Sequence, residues 1–340
     1  MLPKRGDAFA MVHVQASLPL RVQKEVGMVP VRSTQLSITA ALALALVSGM
    51  TAGCAPPSSK TSTRAAAPPV VAETPTIEDV SDHSLPVEKY LMSPTENDRI
   101  ERARSKLIGS CMKRFGFDFT PNTPDYKKMS GQVTNRYGPT DPKIASSLGY
   151  RQAKRQVEEE LSPVQPPLSA DMKNVLGIRD ESEKDAPSPT GDTYRGMRIP
   201  DGGCAGETDR KLTEGGGIIQ DAEVAIEVNF RNFERSTADV RVKKSFADWA
   251  RCMKGRNFSY KTPIDAINDP RWRTDTPSAL EIATATAEVE CKRRHNVIGI
   301  WVSVESAYER EDIKVNTKQL NEVRKGIDIA FKNAASVVGA

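Results

Sequence analysis

The stretch CMKRFGFDFTP at residues 111–121 returns, 141 positions further on, as CMKGRNFSYKTP at residues 252–263. Each copy runs Cys-Met-Lys, then a residue that tolerates left-handed backbone (Gly116 or Asn257), then two aromatics one residue apart, then Pro. Left-handed backbone just past a helical run is a C-terminal stop. Upstream of the first copy, Ile100, Ala103, Leu107, Cys111 and Phe115 follow at spacings of 3, 4, 4 and 4, one apolar helical face. Upstream of the second, Val242, Phe246, Trp249 and Met253 do the same, with Cys252 beside the stripe. The repeat therefore reads as a helix, a stop and an apolar clasp in which Phe117 and Phe119, or Phe258 and Tyr260, fold back over the helix end.

The first helix is announced by SPTE: Ser93 as N-cap, Pro94 at the first helical position and Glu96 as the capping-box carboxylate. Residues 120–203 are rich in Pro, Gly and polar residues, with a helix expected over KIASSLGYRQAKRQVEEELS, residues 143–162, carrying Tyr150, Val157 and Leu161 on its sparse apolar stripe. A further helix is expected from near Ala205, interrupted at residues 215–217. Another is expected over residues 221–235. Thr276 and Pro277 are expected to cap a helix whose Leu280, Ala283, Ala287 and Cys291 share a face. A last helix is expected over residues 297–336, with Leu320, Val323, Ile327, Ala330 and Ala334 forming a seam that wants a helical partner. Its charged middle, YEREDIK, reads as a solvated face with ion pairs. The fold class expected is mainly α, a disulfide-stapled helical body with long irregular connections.

The N-terminus bears on location. Residues 36–47, LSITAALALALV, form a 12-residue apolar run after Arg32, too short to span a bilayer as a mature helix and suited to a signal-peptide core. Met28 is an alternative start that gives a shorter n-region. Thr51-Ala52-Gly53 before Cys54 resembles a lipobox, although Leu is preferred where Thr51 stands; Cys54 would then carry the acyl chains and open the mature chain. The expected organisation is a signal peptide at 1–53, a disordered Pro/Ala/Ser/Thr tether at 54–84, and a body at 85–340 with halves near 85–203 and 204–340. The leader holds 5 of the 48 basic and 2 of the 44 acidic residues, leaving 43 against 42, a net of +1. That balance gives nucleic acid no electrostatic footprint.

Beyond Cys54, the cysteines are Cys111, Cys204, Cys252 and Cys291, an even number that permits three disulfide connectivities. Consecutive pairing, Cys111 with Cys204 and Cys252 with Cys291, joins each repeated helix end to the next cysteine downstream and is the arrangement expected. There is no CxxC, and separations of 93, 48 and 39 supply no zinc-ligand pair, so no metal and no cofactor are expected. Ser110 to Lys113 fits S-x-x-K, but Lys261-Thr262 is followed by Pro263 rather than Gly, and no S-D-N partner exists. Cys291 and His295 stand four apart, yet His83 and His295 are the only histidines after the leader. That scarcity removes His-dependent triads. Carboxylate pairs remain open, with no spacing that singles one out.

The segments LPVEKYLMSPTENDRIERARSKLIGSCMKRFGFDF, TYRGMRIPDGGCAGET, DVRVKKSFADWARCMKG and EVECKRRHNVIGIWVSVESAYER resemble those of a family of uncharacterised actinobacterial lipoproteins. The likeness covers most of residues 85–339 and all four body cysteines. It implies export, lipid anchoring and a helical disulfide-bonded body, supports a helix at 221–235, and brings no activity. The function expected is therefore a lipid-anchored, non-enzymatic binding or interaction module on the outer face of the cell membrane. Its membrane contact would run through Cys54, its partner being an envelope protein or ligand. The alternative is a cell-envelope hydrolase acting through carboxylates. A solute-binding protein is disfavoured because no alternation of strands and helices is visible.

Overall fold

A computed structural model describes residues 67–81, 83–123, 126, 136–151, 167–178, 192–274 and 276–339. The compact unit holding the body starts at Pro68. Helix α1, Pro94–Arg114, opens as the sequence dictates: the Ser93 hydroxyl accepts from the Glu96 N–H at 3.3 Å, and the Ser93 N–H donates to the Glu96 carboxylate at 2.7 Å. It closes with Gly116 at φ 82°, whose N–H donates to the Lys113 carbonyl at 3.0 Å while the Phe117 N–H donates to the Met112 carbonyl at 3.1 Å. Helix α6, Val240–Lys254, closes identically. There Asn257 takes φ 67°, its N–H donates to Lys254 at 3.0 Å, and the Phe258 N–H donates to Met253 at 3.0 Å. Both copies thus end in the same Schellman stop, which satisfies carbonyls that a helix end leaves without partners.

Both stops are stapled. Cys111 bonds Cys204 near the start of α4 (Gly203–Leu212), and Cys252 bonds Cys291 near the end of α8 (Ala279–Arg294), with Cα separations of 5.6 and 5.7 Å. Phe119 is buried with Ile108, Met112, Phe115 and Ile199 around the first staple, and Phe117 lies against Tyr194 at 5.1 Å between ring centroids. Phe258 and Tyr260 pack half-buried against the main core. Helices α3 (Ala170–Leu176) and α4 meet backbone to backbone: Gly203, at φ +69°, would place any Cβ 2.4 Å from the Gly177 nitrogen. Only glycine fits there.

The other described elements are mostly helical. In chain order they include α2 (Pro142–Leu148), a hairpin of β1 (Thr193–Tyr194) with β2 (Met197–Arg198), α5 (Glu223–Ala238), α7 (Pro263–Ile267), α9 (Val297–Val315) and α10 (Thr317–Val338). The α10 seam finds its partner in α1: Leu320, Val323, Ile327, Ala330 and Ala334 are buried, four of them in one cluster with Ile100, Ala103 and Leu212. The largest core lies between α5, α6, α8 and α9 around Trp249, Trp272 and Trp301. Trp301 is ringed by Tyr137, Phe233 and Phe246 at 4.8 to 5.8 Å.

Several expectations need correction. The helix expected at 297–336 is two, α9 and α10, parted at Asn316, whose side chain donates back to the Asp312 carbonyl at 2.8 Å. The helix expected at 143–162 stops at Leu148, because Gly149 takes φ +62° against the Glu281 side chain; Val157 and Leu161 lie outside the described residues. The α8 cap is Ser278, not Thr276 and Pro277. Half of its expected apolar face holds: Ala287 and Cys291 are buried, but Leu280 and Ala283 are exposed, and Glu281, Glu288 and Lys292 are buried.

Packing also begins before Leu85. Ile77 and Val80 are core residues, and residues 69–80 form a strap pinned by its carbonyls. Pro69 accepts from Arg241 at 2.9 Å, Thr74 from Asn296 at 2.9 Å and Glu78 from Arg293 at 3.3 Å. Helix α1, in the first of the two expected halves, packs along α10 in the second. Residues 1–53, Cys54 and the tether up to residue 66 lie outside the described residues.

Candidate functional site

Among the described residues, buried charge is concentrated between α8, α9 and the segment 136–151. The α9 run VIGIWVSVESAY is apolar apart from Glu305 and two serines, so burial of this helix carries Glu305 inward. An isolated carboxylate there would be prohibitively costly. Its neighbours supply the offset. The Arg136 guanidinium pairs with Glu305 and with the Asn229 side-chain oxygen, and the Tyr137 hydroxyl donates to Glu305 at 2.8 Å. Burial pushes the Glu305 carboxyl up, opposed by Arg136 and Tyr137.

One turn on, Glu309 is also fully buried. Its Oε2 accepts the Val87 N–H at 3.0 Å, and among the described residues its Oε1 has no hydrogen-bond partner. Burial, then the neighbouring Glu305 charge, raise its pKa to about 8. Glu309 is thus a neutral acid at pH 7, held under the turn that leads into the short helix Glu88–Tyr90.

A second cluster adjoins the first. Lys292 pairs with Glu288 one turn earlier on α8, and its Nζ donates to the Tyr137 carbonyl at 2.6 Å and to the Pro139 carbonyl at 3.3 Å. The Tyr150 hydroxyl donates to Glu288, and Glu281 accepts the Tyr150 N–H at 3.1 Å with Arg151 at 3.5 Å. Burial raises Glu288 and lowers Lys292, each against the pull of the other. Tyr137 and Tyr150 are both driven far up by burial, so neither hydroxyl ionises in the working range. Chemically, these groups can hold protons and fix backbone. Each glutamate is committed to named protein groups, and Glu281, Glu288, Glu305 and Glu309 are all at 0% exposure.

The residues singled out from sequence lie elsewhere. Ser110 faces solvent on α1, its hydroxyl bonded to the Lys106 carbonyl at 2.9 Å, and with Lys113 it lines an open groove of about 430 Å³. Thr262 is the N-cap of α7 in a capping box with Asp265, which gives the Lys-Thr-Pro sequence a structural use. Cys291 is spent in its disulfide, and His295 is the C-terminal cap residue of α8. The YEREDIK reading holds at Asp312, which pairs with Arg231 and Arg235, but fails at Glu309, which points inward.

Sequence reasoning passed over Arg136, Glu281, Glu288, Lys292, Glu305 and Glu309. One signal was present: Glu305 interrupts an otherwise apolar run. Among the described residues no three His, Cys, Asp or Glu side chains group as metal ligands, and no helix is long and apolar enough to cross a membrane. No protein-family model, curated protein or solved structure matches the chain.

Proposed function

We propose that this chain is an extracytoplasmic lipoprotein, cut before Cys54 and held to the outer face of the membrane by acyl chains there, whose helical body is a non-enzymatic binding or interaction module of the cell envelope. The observation that carries this reading is the pair of closed disulfides at the two duplicated helix ends. Structural disulfides persist in oxidising compartments and are rare where thiols are kept reduced. The short apolar run at 36–47 and the TAGC sequence at 51–54 add the route and the anchor. Likeness to the actinobacterial lipoprotein family points the same way.

The non-enzymatic part of the reading rests on how the carboxylates are used. A glycosidase-type pair must flank a substrate bond. Glu305 and Glu309 instead hold Arg136, Tyr137 and Val87 inside the core. The decisive experiment is fractionation of cells expressing the full chain, combined with mass analysis of the Cys54 peptide. Acylated Cys54 in the membrane fraction, and release of Cys54→Ala, are expected. A Cys54 peptide without acyl mass would overturn the anchor, and cleavage of purified cell wall that disappears in Glu305→Gln would restore the hydrolase alternative.

A further inference from the structure

Helix α6 turns two unlike faces to its surroundings. Val242, Ser245, Phe246, Trp249 and Met253 are buried in the main core. The opposite face carries Val240, Lys243, Lys244, Ala247, Arg251 and Lys254, all exposed, at spacings of 3, 1, 3, 4 and 3, a single stripe along the helix. Four of these six are cations. Asp248 is the one acid within Val240–Lys254; it bonds Lys244 at 2.9 Å and also holds Arg251, leaving the stripe with a net of +3. The side chains of Lys244 and Arg251 remain 79% and 74% exposed despite that bond. Val240 at the start of the stripe is 74% exposed.

The strap sets the point on this face from which the chain runs back towards the proposed anchor. Arg241, the second residue of α6, donates to the Pro69 carbonyl at 2.9 Å and is itself clamped by Asp239 at 2.7 Å. Pro69 is buried, and Val70, next to it, is 91% exposed. The chain therefore joins the body at the N-terminal end of α6, between two exposed valines. Residues 54–67 are all that separates Cys54 from that point. At full stretch those 14 residues span at most about 50 Å, close to the diameter of a body this size. They include Lys60 and Arg64 and no acid.

We infer that the outer face of α6, from Val240 to Lys254, is a membrane-docking surface that lies against anionic lipid headgroups and orients the anchored body. This rests on the lipid-anchor reading. The chemistry is that of a second membrane signal: an acyl anchor plus a basic surface binds an anionic bilayer where either alone is weaker. Val70 and Val240 supply apolar contact at the headgroup level, and the stripe of ammonium and guanidinium groups supplies the charge complement.

The test is a lysine footprint on the full chain from native membranes. It is reconstituted into vesicles of pure phosphatidylcholine or of phosphatidylcholine with phosphatidylglycerol, then briefly acetylated and digested. Lys243, Lys244 and Lys254 are expected to acetylate about fivefold more slowly on the anionic vesicles, the effect of roughly one ion contact with a charged bilayer. Lys318, Lys325 and Lys332 on the exposed side of α10 are expected to keep their rates. The protection should vanish in 0.5 M salt and in the variant Lys243→Glu with Lys254→Glu, read at Lys244. Equal rates on both vesicles, or protection shared equally by the α10 lysines, would overturn the docking face. The Cys54 peptide in the same digest reports the anchor separately: missing acyl mass sinks the lipoprotein reading whatever the lysine ratios show.

Discussion

Replacing Glu309 by Gln should abolish much of the pH dependence of folding stability between pH 5 and pH 8. The carboxyl is fully buried, accepts one hydrogen bond from Val87 and stands beside Glu305, and its pKa rises from an ordinary 4.5 to about 8. A raised carboxyl keeps its proton in the folded state while the unfolded chain has already lost it. Stability is therefore unaffected below about pH 4.5, falls as pH rises, and levels off above about 8. The slope between these limits is about 1.4 kcal/mol per pH, and the whole interval amounts to about 5 kcal/mol as a ceiling, because Glu305 shares part of the effect. Gln keeps the oxygen that Val87 needs and does not ionise. Urea unfolding of both proteins, disulfides intact, at pH 5, 6, 7 and 8 reads the outcome. The variant should gain on the wild type by up to about 3.5 kcal/mol between pH 5 and pH 8. A difference between the two proteins that stays flat over that range would refute a buried neutral acid at this position.

Removing the second staple with Cys252→Ser and Cys291→Ser should cost about 4 kcal/mol for its 39-residue separation, seen as a lower urea midpoint in non-reducing buffer. Arg136→Met leaves Glu305 buried without its cation and should lower stability by about 3 to 5 kcal/mol in the same assay, with Glu305→Gln in the Met background recovering part of the loss. Gly299→Ala would set a Cβ 1.9 Å from the Pro75 carbonyl oxygen, so the strap should lift locally. Limited proteolysis should then cut between residues 70 and 80 in the variant while α1 to α10 remain intact.

Legibility in the sequence followed the side chains whose local chemistry is self-sufficient. The Ser93–Glu96 box, the Gly116 and Asn257 stops, the stripe on α6 and the α10 seam depend on residues a few positions apart, and all are present in the fold. What was illegible depended on distant partners. Glu281, Glu288 and Lys292 sit on the inward face of α8 only because segment 136–151 brings Tyr137, Tyr150 and Arg151 to meet them. Counting apolar spacings alone puts Leu280 and Ala283 inside, the opposite of what the charge network requires. The Asn316 break carries no Gly or Pro. The strap reads as a low-complexity tether because its bonds to Arg241, Asn296 and Arg293 are made by carbonyls, which composition does not report.

The order of the staples has a consequence for how the chain matures. Cys111 pairs with the next cysteine to follow it, and Cys252 with the next after it, so the bridges are sequential rather than interlaced. With Cys54 acylated as proposed, a chain oxidised as it emerges N-terminus first brings each body cysteine to its correct partner before any wrong body cysteine is present. Cys204 appears while Cys252 and Cys291 are still behind it, and first-come pairing is the native pairing. Such a protein reaches its final connectivity with an oxidant alone, and reshuffling by an isomerase is dispensable.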